Sequence, residues 1–210
     1  MTNDLIQQLI DTGYLKTPEI IGAFKKIDRR DFVLPGIKEE AAANYPLSIG
    51  YGQTISQPLT VALMLELLGP KKGQKILDIG SGSGWTTALL AEIVGETGKI
   101  FGIERIQELK EFGENNAEKY DFVSSGRAIF TTGDGSKGLK KEAPFDRIHV
   151  GAAAAKVPPA LLEQLNIGGK LIIPVGTTQQ DLVLIEKVGK KEYKEKRFSG
   201  FTFVPLIEER

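Results

Sequence analysis

"LDIGSGSGW", residues 77–85, decides the fold. A short apolar run ends in an acid, Asp78, and passes into glycines at 80, 82 and 84 before an apolar, helix-forming stretch. A strand that feeds a helix through a glycine turn is the opening unit of an open α/β sheet, and that turn is where such sheets hold nucleotide-like ligands. The alternation continues downstream. "TTALLAEIVG" (86–95) reads as a helix stopped by Gly95, "KIFGIE" (99–104) as a strand, and 106–119 as an amphipathic, charged helix. "RAIFTTGDG" (127–135), "DRIHVGAAA" (146–154) and "GKLIIPVG" (169–176) read as further strands, with a helix from about Pro158 to Leu165. "DLVLIEKVG" and "YKEKRFSGFTFVPL" follow one another with no helix between them, which predicts an antiparallel finish. Short apolar strands separated by helices imply a parallel sheet covered on both faces. The expectation is a Rossmann-like α/β fold, with a mostly parallel seven-stranded sheet and an antiparallel C-terminal strand.

Upstream of the glycine turn the pattern is helical. Leu5, Ile6, Leu9 and Ile10 make one apolar stripe and Ile20, Ile21, Phe24 and Ile27 another, with Thr17-Pro18 as a helix start. Pro35, Pro46, Gly50, Gly52 and Pro58 punctuate 34–58, so that stretch reads mostly as loop. A helix follows from Leu59 to Leu68, ended by Gly69-Pro70. Residues 1–58 are thus a helical extension with a loop, and 59–210 the α/β domain, in one structural unit.

The chain has 210 residues, enough for one well-buried domain. Lys plus Arg and Asp plus Glu each number 27, so net charge is zero. That disfavours a nucleic-acid partner, which normally meets a basic face. The one Lys-rich run, "KEYKEKR" (191–197), alternates like the wet side of a strand edge, where charge guards against aggregation. With no cysteine and a single histidine, His149, disulfides, thiolate nucleophiles and zinc clusters are excluded, and no metal is expected. No signal pattern or membrane-length apolar run is present, so the chain reads as a cytoplasmic protein without a membrane partner. His149 lies in the apolar strand "RIHVG", where a buried, hydrogen-bonded structural role is expected.

The glycine turn narrows the ligand. A dinucleotide turn wants a small residue at 85, where this chain has Trp85, and no Walker lysine follows. A nucleoside without phosphates remains, and S-adenosylmethionine fits. Asp78 suits its cationic groups, Glu104 at the end of "IFGIE" suits the ribose hydroxyls, and Asp134 in "GDG" suits the adenine amino group. Each alone is an ordinary turn feature; three acids at successive strand ends are a constellation. A methyltransferase of RNA or of a small molecule, or a non-catalytic adenosylmethionine-binding module, stays open at this point.

"IGYGQTISQP" (49–58), "LDIGSGSG", "GIER", "GDG", "APFDRIHVGAAA", "VPPALLEQLNIGGKLIIPVG" and "FVPL" resemble, in order, the protein-L-isoaspartate O-methyltransferase family. The resemblance covers about Phe32 to Leu206, and "GQTISQP" is its most specific element. Asn44 stands where the family usually has Asp, Trp85 where Tyr or Ile is common, and "RRDFVLP" is one residue out of register. The resemblance implies methyl transfer from S-adenosylmethionine to the free α-carboxyl of L-isoaspartyl residues in damaged proteins and peptides. The ester then closes to a succinimide unaided, which starts repair. By resemblance Ser56 is the catalytic position. Gln53, Thr54, Ile55 and Ser56 line the cofactor, as do Asp78, Gly80, Gly82, Ser83 and Gly84. Glu104, Arg105, Asp134 and Gly135 complete that set, and Val204, Pro205 and Leu206 meet the substrate backbone. A monomer is expected. An isoaspartyl carboxylate is already ionised at neutral pH, so the absence of a base in "IGYGQTISQP" is no obstacle.

Overall fold

The computed structural model describes residues 3–208. Two helices open the chain, α1 (Asn3–Asp11) and α2 (Pro18–Lys26), the second begun by its proline. A 3-10 turn (Arg29–Phe32) and a kinked 3-10 segment (Pro35–Ala42) lead into a hairpin of β1 (Leu47–Gly50) and β2 (Gln53–Ile55). Helix α3 (Pro58–Leu68) ends at Gly69 in a left-handed cap. The alternation then begins: β3 (Lys75–Ile79), α4 (Trp85–Val94), β4 (Lys99–Glu104), α5 (Gln107–Glu118), β5 (Ala128–Thr132) and β6 (Phe145–Val150). Helix α6 (Pro159–Glu163) precedes β7 (Leu165–Gly176), β8 (Gln180–Lys187) and β9 (Tyr193–Phe201).

The seven-stranded sheet runs β5-β4-β3-β6-β7-β8-β9. Five strands, β5 through β7 in that order, pair in parallel; β8 runs against β7, and β9 turns back against β8. The chain leaves β3 toward β4 on one side and later returns to place β6 on the other. That reversal opens a crevice at the carboxyl ends of β3 and β6, the usual ligand position in open α/β sheets.

Strand periodicity sorts the core onto two faces. Ile76, Ile100 and Ala128 pack with α1, α2, α4 and α5 in one cluster, whereas Leu77, Ile79, Phe101, Ile103 and Ile148 pack with Leu161 of α6 on the other face. The first cluster runs without a break from Leu5 to Phe130, so the N-terminal helices share the core of the sheet's own helices. At the far edge, β9 is exposed over most of its length, as its alternating charges require.

The stretch 34–58 is more ordered than its punctuation suggests. Glycines and prolines there mark a short hairpin rather than a loop: Leu47 faces Ile55 and Ser48 faces Thr54. Its turn has positive φ at three successive residues, Gly50 (90°), Tyr51 (54°) and Gly52 (70°). Two left-handed central residues match the twist of a tight hairpin, and the glycines on either side make room for Tyr51 to adopt one.

Candidate active site

The glycine turn after β3 is fixed from two sides. The amides of Gly80 and Ser81 donate to the Ile103 carbonyl (2.8 and 3.1 Å) at the end of β4. The Glu104 carboxylate accepts from Gly82 N–H (Oε2, 3.0 Å) and from Ile106 N–H (Oε1, 3.0 Å). On the opposite side the turn lies against α5. Gly84 has φ 82°, and a Cβ there would stand 2.4 Å from the Gly113 carbonyl oxygen. Asn116 of α5 donates to the Ser83 carbonyl at 3.0 Å. Only glycine lets the two backbones approach so closely.

A cleft of about 600 Å³ opens in front of this turn. Ile79 and Ile103 form apolar walls, Gly80 and Gly82 the rear edge, and Glu104 and Arg105 the charged end, with Gly133 and Gly135 beside them. Gln53 and Thr54 of the hairpin and Val204, Pro205 and Leu206 of the C-terminal segment close the remaining sides. That segment is sewn to the end of β6: Ala153 N–H donates to the Val204 carbonyl (2.8 Å) and Leu206 N–H to the Ala153 carbonyl (2.7 Å). On the other side of Thr54 and Val204 lies a groove of about 680 Å³, bordered by Pro46, Ser56, Gln57, Thr60 and Phe203. A smaller chamber of about 350 Å³ is bordered by Ile55, Ser56, Ser81, Ser83, Trp85 and His149. Thr54 and Gly151 border all three spaces.

Three of the sequence-derived positions stand outside these walls. Gly84 is the left-handed residue that opens α4. Asp134 caps a 3-10 turn: its Oδ1 accepts from the amide and hydroxyl of Ser136 (2.9 and 2.6 Å), and its Oδ2 lies 3.2 Å from Lys137 Nζ. Asp78 is wholly buried; Thr87 Oγ1 donates to its Oδ2 at 2.5 Å and His149 Nδ1 lies 2.7 Å from its Oδ1. Register explains that contact, because Asp78 and His149 are direct partners across β3 and β6. His149 is buried and hydrogen-bonded, as its strand position implied, but the residue also borders the chamber and its Nε2 has no partner among the described residues.

Ser56 borders both groove and chamber. It does not cap α3: the N-cap is Gln57, whose side chain makes no capping bond. The capping acceptor comes from Asn44, whose Oδ1 takes the Leu59 amide at 3.0 Å. Asn44 thus supplies an oxygen acceptor where the family's usual Asp has one.

Arg29 carries a role that sequence reasoning missed. It is fully buried beneath the hairpin and, among the described residues, has no carboxylate partner. Nη1 donates to the carbonyls of Ala41 and Ala43 (both 3.1 Å), and Nη2 to those of Tyr45 (2.9 Å) and Ser56 (3.1 Å). Its guanidinium lies 5.4 Å from the Trp85 ring centre. Burial pulls its pKa down to about 10, with Tyr45 opposing, so it stays charged at neutral pH. The usable signal was an arginine inside the apolar-flanked "KIDRRDFV", just ahead of the proline-rich stretch.

The cleft fits adenosylmethionine by the chemistry of its lining. Apolar walls suit an adenine, an acid at a strand end suits two ribose hydroxyls, and no cluster of basic groups awaits a phosphate. Among the described residues no group of three or more His, Asp or Glu side chains is placed to hold a metal ion. No helix of the described residues is long and apolar enough to cross a membrane.

Comparison with known proteins agrees with this chemistry. The family model described as Protein-L-isoaspartate(D-aspartate) O-methyltransferase matches residues 1–210. A Methanopyrus kandleri protein-L-isoaspartate O-methyltransferase is 44% identical over 98% of this chain and 90% of its own. The Thermococcus onnurineus protein of the same name is 45% identical over 97% of this chain and 92% of its own. Among solved structures, a Plasmodium falciparum protein-L-isoaspartate O-methyltransferase in complex with S-adenosyl-L-homocysteine superposes with a TM-score of 0.88. It is 27% identical, over 98% of both chains.

Proposed function

The chain belongs to the protein-L-isoaspartate O-methyltransferase family, and from that premise we propose how its residues divide the work. The enzyme methylates the free α-carboxyl of L-isoaspartyl residues in damaged proteins and peptides. When bound, S-adenosylmethionine supplies a methyl group activated by a sulfonium. Glu104 would hold the ribose with the lone pairs its two backbone contacts leave free, and Arg105 would flank it. Gly135 and Asp134 belong to the adenine end. The turn from Gly80 to Gly84 would carry the amino-acid half, with Asp78 behind it, and Gln53 to Ser56 would close the front. Val204, Pro205 and Leu206 would receive the substrate backbone as an added extended segment.

The observation that carries this division is the shared border: Thr54 and Gly151 belong to the wall of both cleft and groove. A carboxylate that enters the groove arrives beside the cleft without crossing the protein. No base is required, because the nucleophile is already an anion. The protein's task is to align it and to keep water out. Ser56, whose backbone is held by Arg29, offers a hydroxyl that borders groove and chamber alike and would orient the carboxylate, with Thr54 left to the cofactor wall. Base-labile methyl label on an L-isoaspartyl peptide, and none on the matched L-aspartyl peptide or on tRNA, is the expected outcome. Equal labelling of both peptides, or labelling of RNA alone, overturns the substrate assignment. The same reading takes the enzyme as a cytoplasmic monomer that acts on protein rather than nucleic acid, in keeping with its zero net charge. Gel filtration checks the monomer.

A further inference from the structure

Among the described residues, five buried side-chain nitrogens and oxygens lack a hydrogen-bond partner, and three belong to residues that border one space. They are Ser81 Oγ, Trp85 Nε1 and His149 Nε2, on residues 6%, 1% and 3% exposed. Their space is the chamber beside Ser56. An unpartnered buried polar group is costly, so three at one cavity mark a place where a polar ligand completes the bonding.

The three are chemically unlike, and the difference specifies the ligand. A carboxylate only accepts, so the Nδ1 that faces Asp78 at 2.7 Å carries the proton, and in the neutral ring Nε2 is left as an acceptor. Thr87, which donates to the other Asp78 oxygen, locks this arrangement from α4. Trp85 Nε1–H is a donor and nothing else. The Ser81 hydroxyl can do either. A simple anion would satisfy Trp85 and leave His149 facing it with a lone pair; a simple cation would do the reverse. A zwitterion satisfies both.

We propose that His149, oriented by Asp78, receives the α-ammonium group at the amino-acid end of S-adenosylmethionine, while Trp85 and Ser81 donate to its carboxylate. This rests on the methyltransferase reading above and deepens it. Asp78, which cannot touch the cofactor from its buried place, then acts on it at one remove through the imidazole. The indole of Trp85, a departure from the residues common at that position, gains a purpose that Tyr or Ile cannot serve in the same way.

Ligand truncation separates this role from a merely structural one. Calorimetry would compare S-adenosylhomocysteine with 5′-methylthioadenosine, which keeps the nucleoside and lacks the amino-acid end. His149→Asn sets an amide N–H near the Nδ1 position, so Asp78 keeps its donor while the Nε2 acceptor is lost. The expected result is about a 10-fold or greater loss of S-adenosylhomocysteine affinity, the scale of one hydrogen bond to a charged group, with 5′-methylthioadenosine affinity unchanged. Trp85→Phe, which removes the N–H and keeps a ring over Arg29, carries the same test if the His149 variant fails to fold. Equal weakening of both ligands, or of neither, overturns the proposal. Wild-type protein that binds the two equally well overturns it alone, whereas wild-type protein that binds neither overturns the methyltransferase reading and this one together.

Discussion

Replacing Arg29 by lysine keeps a positive charge and removes the fork that serves four carbonyls. The guanidinium reaches Ala41, Ala43, Tyr45 and Ser56 from two nitrogens, at 2.9 to 3.1 Å. A lysine ammonium has three N–H donors on a differently shaped stem, so at least one carbonyl, and by geometry two, lose their partner. Each buried carbonyl left unpaired costs about 1–3 kcal/mol, and the lost stacking on Trp85 adds about 1 kcal/mol. The sum is about 3–7 kcal/mol, against a total stability of about 5–15 kcal/mol for a domain. At about 2–4 °C per kcal/mol for a chain of this size, Arg29→Lys should melt about 6–28 °C lower and still fold when cold. The freed groups include the Ser56 carbonyl, so the hairpin end that carries Ser56 loosens with it. Misplacement on the 1 Å scale costs about 100-fold in turnover. Isoaspartyl methylation, measured well below the melting point, should therefore fall about 10- to 100-fold in kcat, with S-adenosylhomocysteine affinity far less changed because Glu104 and the glycine turn are tethered elsewhere. Differential scanning fluorimetry and initial rates suffice. A variant that melts within 2 °C of wild type, or turns over normally per folded molecule, would refute the clamp.

Ser56→Ala should lower kcat about 10- to 100-fold with little change in melting point, since its hydroxyl caps no helix; full turnover in single-turnover methylation removes it from the reaction. Glu104→Ala should weaken S-adenosylhomocysteine by about 1.5–3 kcal/mol or more through lost ribose contacts and a loosened Gly82; unchanged calorimetric affinity would show that neither matters. Gly84→Ala should fail to fold or melt far lower, because its Cβ meets the rigid Gly113 backbone; a melting point near wild type would mean that α5 shifts easily. The Tyr120 hydroxyl donates to Asp31 (2.7 Å) and accepts from the Asp28 amide (2.9 Å), and burial, then the Asp31 bond, raise its pKa above the ordinary tyrosine value. Because the folded value lies above the unfolded one, this stability is complete below pH 10 and drains as pH rises past it. Tyr120→Phe should accordingly be less stable at pH 8 and lose less between pH 9 and 11; an unchanged slope in chemical denaturation refutes the assignment.

The sheet was legible because each strand carries its own signal. "KILDIG", "KIFGIE" and "RIHVG" are apolar on both faces, which only a covered parallel strand requires, and each ends in glycine or acid where the ligand crevice lies. The residues expected at the site beside those strand ends lie where the strands point: Gly80, Gly82, Glu104 and Gly135 all border the cleft. The hairpin at 47–55 was not legible, since it pairs over so few residues and its turn chemistry looks like loop punctuation.

Long-range polar partners were the least visible, and they carry much of the site's order. Asn44 caps a helix that begins 14 residues later in the chain, and Arg29 binds carbonyls up to 27 residues away. Neither leaves a periodicity. Asp78 shows why this matters for function. From the sequence it is an acid at the head of a glycine turn, free to face a cation; in the fold it is a strand residue whose parallel-ladder partner is His149. The β3–β6 register turns a direct contact into a relayed one and leaves imidazole, not carboxylate, at the chamber wall. An imidazole nitrogen oriented by Asp78 through the other ring nitrogen can receive an ammonium group without placing a carboxylate at the chamber wall. A bare carboxylate at that wall would repel the substrate anion that the groove beside Ser56 must admit. The relay therefore reconciles two demands that meet within one small space: a cationic cofactor end and an anionic nucleophile.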